Sequence, residues 1–106
     1  KQGFPMTELR TQQLSADLYN KIMSLEMPRM LKTQLEKSAS STYLNLLEAN
    51  ETNTFNSKRM SYKFAYISLK ECRLLMNRNK LNDESLLDII SLLNEKLTKL
   101  NLRMYS

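Results

Sequence analysis

Residues 44–76, LNLLEANETNTFNSKRMSYKFAYISLKECRLLM, decide the fold. Their middle, residues 51–56, is rich in asparagine and threonine, whose side chains offer the backbone hydrogen bonds that compete with a helix, so it reads as a turn. Beyond it Tyr62, Ala65, Leu69, Cys72 and Met76 recur every three or four residues, the spacing that keeps one face of a helix toward a core. At about 100° per residue, Arg59, Lys63, Lys70 and Arg73 fall together on a neighbouring flank with Tyr66 among them. The stretch is therefore a helical hairpin whose second arm, over residues 57–78, carries a basic stripe.

Working outward, the helix before the turn is expected over residues 29–50. Pro28 disfavours helical geometry for Met27 but suits the first turn of a new helix. Its core positions are Leu31, Leu35, Ser38, Thr42, Leu46 and Ala49. Ser38, Ala39, Ser40 and Ser41 form a small-residue patch, which lets a partner helix come close; Ser40 and Ser41 themselves read as exposed. Asn45 borders the apolar stripe, where a buried amide needs partners, and it is a candidate for fixing helix register.

A first helix is expected over residues 7–25. Leu14, Leu18, Ile22 and Leu25 share one face, and Ala16, Tyr19 and Met23 add a second apolar flank. So wide a surface points to two neighbours. The last helix is announced by Asn82 as N-cap, with Asp83 and Glu84 in the first turn, where negative charge suits the helix dipole. Leu86, Ile90, Leu93, Leu97, Leu100 and Met104 then form an unbroken core stripe. Lys96, Lys99 and Arg103 share its flank with Leu92, giving a second, smaller basic strip.

Four helices joined by short connections run up and down. The expected fold is all-α, an antiparallel up-and-down four-helix bundle forming one domain over residues 1–106. Residues 1–6 are expected to be unstructured or a tag remnant, Met6 marking a native start. One Gly and two Pro in 106 residues cannot supply the loops of a strand-rich fold. No apolar run approaches the roughly 20 residues that span a bilayer, and the N-terminus lacks a charged-then-apolar signal pattern. A cytoplasmic protein outside the membrane is expected.

The formal charge is +5, from 16 Lys and Arg against 11 Asp and Glu. The excess is local: between Lys58 and Lys80 there are seven basic residues and one acidic, Glu71. Such a field favours polyanions, and Arg59, Lys63, Lys70, Arg73, Arg78 and Lys80 are the candidate nucleic-acid contacts. A solvated face that only maintains solubility is the plain alternative. On the same helix Met60, Ile67 and Leu74 recur every seven residues away from the core face, as in a helix that also meets another chain. They are the candidate oligomer interface.

Catalytic chemistry finds little support. The chain has no His, which excludes His-based acid/base and nucleophile arrangements. Glu48 and Glu71 lack the Glu-x-x-His partner of di-metal bundles, and Glu48 is expected to be solvated or paired. The only Gly is Gly3, so there is no glycine-rich phosphate loop. Cys72 sits on the apolar face as a small hydrophobe. A non-enzymatic binding protein with no metal and no cofactor is expected.

Leu46-Leu47-Glu48-Ala49-Asn50, then Lys58, Ala65, Ser68-Leu69, Glu71 and Leu74-Leu75, resemble a family of small bacterial four-helix-bundle proteins. The family includes the accessory variability determinant (Avd) of diversity-generating retroelements and the protein encoded in intervening sequences of large-subunit ribosomal RNA. Pro28-Arg29 with Leu35-Glu36, and residues 81–84 before a Leu-rich last helix, extend the resemblance over residues 16–102. Intervening-sequence proteins carry Pro-Ser-Asn-Ile-Ala-Glu-Gly at the end of helix two and a glycine-rich turn. Here Asn45 and Glu48 match and the glycines and proline do not, while the Leu-Leu-Glu-Ala-Asn run is closer to the Avd pattern. The Gly-Trp often found late in that group is replaced by Leu102-Arg103.

The resemblance implies a homopentameric barrel of bundles with a positive surface, which in the retroelement group partners a reverse transcriptase and binds template RNA. Two functional expectations stand side by side. One is an accessory protein holding RNA or DNA by its phosphates. The other is a ribosomal RNA intervening-sequence-type bundle of unknown role, or a protein-interaction bundle whose positive face docks an acidic partner.

Overall fold

A computed structural model describes residues 6–105. It is an all-α four-helix bundle of α1 (Met6–Ser24), α2 (Arg29–Glu51), α3 (Phe55–Arg78) and α4 (Glu84–Arg103), measuring 45 × 22 × 19 Å. Each helix packs on its neighbours in the chain and α4 closes on α1. Helix α1 begins at Met6, inside the segment expected to lack structure; residues 1–5 and 106 lie outside the described residues.

The helix ends follow from local side chains. Pro28 precedes α2 with ψ 142° and leaves its carbonyl to Lys32 N–H. The turn after α2 is shorter than expected, because α2 continues through Glu51 and α3 begins at Phe55. Thr54 is the reason: its hydroxyl accepts from Ser57 N–H at 3.4 Å, so the first helical turn starts directly after it.

The N-cap of α4 is Asp83 and not Asn82. Its carboxylate accepts from Leu86 N–H at 2.9 Å and from the Ser85 hydroxyl at 2.8 Å. These bonds, the Leu86 amide first, hold the Asp83 carboxyl below the usual carboxylate range. Between α3 and α4 Lys80 takes a left-handed φ of 55°, and Leu81 N–H returns to the Met76 carbonyl at 2.9 Å. Glycine is the usual occupant of such a cap.

The core matches the expected stripes. Leu18, Ile22, Leu35, Leu46, Tyr62, Leu69, Met76, Leu86, Ile90, Leu93, Leu97 and Leu100 are fully buried, while Leu14, Leu25 and Met104 are only partly covered. Helix α1 does meet two neighbours, α2 and α4, although Met23 remains exposed. A polar network ties one end of the bundle together through all four helices. The Tyr62 hydroxyl donates to Asn50 Oδ1 at 3.3 Å, and Asn50 Nδ2 donates to Gln12 Oε1 at 2.7 Å. Asn101 Nδ2 donates to the Tyr62 carbonyl at 3.1 Å.

The most extensive contact is between α2 and α3. Ser38, Thr42 and Ala49 on α2, and Ser61, Ala65, Ser68 and Cys72 on α3, are buried. Ser41 is not an exposed-face serine as expected: it is half-buried, and its Oγ lies 2.7 Å from Ser68 Oγ across the crossing. Asn45 Nδ2 donates to the Ser41 carbonyl at 2.8 Å and to Ser41 Oγ at 3.3 Å, so it supports this bond from its own helix. Thr42 Oγ1 donates to the Ser38 carbonyl at 2.9 Å. Among the described residues no buried side-chain polar atom lacks a partner, which is what burying hydroxyls demands.

Two outcomes are expected of this crossing. Ala65→Leu overfills it and should lower stability by about 1–3 kcal/mol in urea unfolding, with helical content retained at low denaturant. Burial pushes the Cys72 thiol up from 9.0 to about 12, with the Glu71 charge adding to the shift. The unfolded chain then loses the thiol proton at lower pH than the folded one. The stabilisation is full below pH 9.0 and is lost as pH rises through about 12. Across that window the parent should lose up to about 1.4 kcal/mol per pH unit more than Cys72→Ala; parallel curves of stability against pH would contradict it.

Candidate nucleic-acid interface

The basic stripe lies on the flank of α3 that faces α4. Lys63, Lys70 and Arg73 are exposed and Arg59 is half-buried. Tyr66, Leu69, Lys70 and Arg73 line a shallow groove with Ile90 and Asn94 of α4, about 270 Å³ in volume. From Arg59 to Arg73 the stripe runs about 21 Å along the helix axis. None of its four cations pairs with a carboxylate among the described residues.

Two aromatic rings accompany these cations. Lys70 Nζ lies 5.2 Å from the centre of the Tyr66 ring. The Arg59 guanidinium lies 5.3 Å from the centre of the Tyr105 ring, and its Nη1 donates to the Tyr105 hydroxyl at 3.2 Å. Both distances fall within the range of a cation–π contact. Tyr66 was legible as part of the stripe. Tyr105 was not, since it stands 46 residues from Arg59 and meets it only through the fold.

The remaining candidates are placed differently. Arg78 is exposed, but at about 100° per residue it turns away from the Arg59 flank and continues the line of Met60. Lys80 is exposed in the left-handed turn beyond α3. Four of the six expected contacts are thus brought together on one flank and two are not. On α4, Lys99 pairs with Glu95 at 3.6 Å, Lys96 is half-buried and Arg103 is exposed.

The apolar line is exposed along the outer face of α3, with Met60 at 42%, Ile67 at 50% and Leu74 at 52%. Phe64 belongs with it at 46% and was missed, although it follows Met60 by one turn. Leu44 on α2 is also exposed. A groove of about 290 Å³ between α1 and α2 is lined by Ala16, Tyr19, Asn20, Ser40, Tyr43 and Leu44. There Tyr19 donates to Glu36 Oε2 at 3.3 Å, and the negative charge of Glu36 raises its phenol pKa.

Glu48 is exposed. Burial, with the Glu8 carboxylate adding, pushes the Tyr62 phenol up, and its ring is closed to solvent. Among the described residues no cluster of three or more His, Cys, Asp or Glu could hold a metal ion. No helix among them is long and apolar enough to cross a membrane.

No family model matches the chain, no curated protein sequence matches it significantly, and no solved structure does so either.

Proposed function

We propose that the chain is a non-enzymatic nucleic-acid-binding bundle that holds RNA or DNA by its phosphates along α3. One observation carries this reading: four cations, unpaired with carboxylates among the described residues, line one flank over about 21 Å. Phosphate contacts of this kind position a protein without reading sequence, and the flank presents no base-reading element. The resemblance to the Avd and intervening-sequence family supplies the proposed setting, an accessory role beside a reverse transcriptase on template RNA. It also supplies the proposed homopentamer, and the exposed line of Met60, Ile67 and Leu74 is where the copies would meet.

Replacing Arg59, Lys63, Lys70 and Arg73 with Gln should weaken binding similarly for unrelated sequences. It should also flatten the plot of log affinity against log salt by about 3, at 0.7 to 0.9 per phosphate contact. Should that variant bind RNA as tightly as the parent at about 0.15 M salt, the stripe is not the site, and Lys96, Lys99 and Arg103 become the next candidate. Replacing Ile67 and Leu74 with Lys should leave helical content intact and lower the mass measured by sedimentation. A parent chain that sediments as a monomer at micromolar concentration would remove the assembly reading.

A further inference from the structure

The proposed phosphate contacts leave the two tyrosines of the flank unexplained. Tyr105 is 59% exposed just beyond α4, yet its ring is held by the Arg59 guanidinium on one side and through its hydroxyl. It has a defined position and an open surface. Tyr66 is half-buried and lines the α3–α4 groove with Leu69 and Ile90 as apolar neighbours, Lys70 and Arg73 as cations and the Asn94 amide at hand. A flat, partly apolar ring with polar edges fits such surroundings. Arg59, which holds Tyr105, and Tyr66 are seven residues apart on α3, about 10 Å along the axis and on the same side.

We infer that this flank takes single-stranded nucleic acid in preference to duplex, with unpaired bases stacking on Tyr105 and Tyr66 while Arg59, Lys63, Lys70 and Arg73 track the phosphates. The inference rests on the proposal that the flank binds nucleic acid, and it names the form bound. Aromatic platforms beside a basic track are how proteins hold single strands without sequence preference, because every base has a π face. In a duplex the bases stack on one another and are closed to the tyrosines, leaving only the cations to contribute. The cations also hold the rings in place: Arg59 fixes Tyr105 and Lys70 lies over Tyr66. A base on Tyr105 adds to the contact that Arg59 already makes with that ring, and a base on Tyr66 takes the place of the Lys70 ammonium, which is then released to a phosphate.

The test compares a single-stranded oligoadenylate with a duplex of equal length at fixed salt. Tyr105→Leu should lose about fivefold or more in affinity for the single strand and keep its duplex affinity, whereas Tyr105→Phe should retain both. Tyr66→Leu should behave as Tyr105→Leu does. Since Tyr66 also packs on the core, Tyr66→Phe provides a folded control. The chain has five Tyr and no Trp, so stacking reads out as quenching of tyrosine fluorescence, and the quench should shrink in both Phe variants. Equal losses for single strand and duplex, or a quench unchanged in both Phe variants, would overturn the stacking. If the four-Gln variant still loses binding in that case, the phosphate reading stands alone. A parent chain that binds neither form overturns both.

Discussion

The structure depends on the close approach of α2 and α3. Leucines at this crossing would hold the helices further apart, so it is made of Ser38, Ser41, Thr42 and Ala49 against Ser61, Ala65, Ser68 and Cys72. Hydroxyls allow that approach only when each finds a partner, because an unsatisfied buried polar group costs about 1–3 kcal/mol. The Ser41–Ser68 bond, with Asn45 behind it, and the Thr42 bond to the Ser38 carbonyl satisfy three of the hydroxyls, and among the described residues no buried side-chain polar atom lacks a partner. The crossing also divides the surface of α3. Small residues occupy the arc toward α2, and Tyr62, Leu69 and Met76 fill the core arc. The large apolar side chains of Met60, Phe64, Ile67 and Leu74 remain on the outer arc, and the cations lie along the edge toward α4.

What could be read from the residues followed from short-range periodicity. The stripes of α3 and α4 repeat every three or four residues without interruption, and the residues they name are the buried ones, Met104 being only partly covered. The cap of α4 was harder to read, since Asn82 and Asp83 are both good caps and only geometry shows which one reaches Leu86 N–H. Met6 and Phe55 lie outside the expected bounds of their helices; at the second, Thr54 and Asn56 are both capping residue types, and only geometry shows that Thr54 takes Ser57 N–H.

The features that could not be read are those made between distant residues. A serine at position 41 looks like any solvated serine until Ser68 is placed opposite it. Asn50 read only as the last residue of its helix, yet it joins Gln12 to Tyr62. The Arg59–Tyr105 contact likewise joins the start of α3 to the residues just past α4. In the candidate interface, the cations were legible because a helix places them by number alone. The second aromatic ring and the groove wall from α4 needed the fold.

The charge patterns of α3 and α4 differ, and the difference supports the proposed binding flank. On α4 an acid precedes a base by one turn and Glu95 pairs with Lys99, an arrangement that contributes a few tenths of a kcal/mol to a helix. Helix α3 does the opposite. Arg59 and Lys63 stand four residues apart and Lys70 and Arg73 three apart, spacings at which like charges destabilise a helix by a similar amount. Neighbours at these spacings have Cβ atoms about 5–6 Å apart, inside the Debye length of about 8 Å at physiological salt, so the repulsion within each pair is only partly screened. Solubility alone is served as well by alternating signs, without that repulsion. A polyanion laid along the flank relieves it, which makes the unalternated stripe a more natural feature of a binding surface than of a face that only meets water.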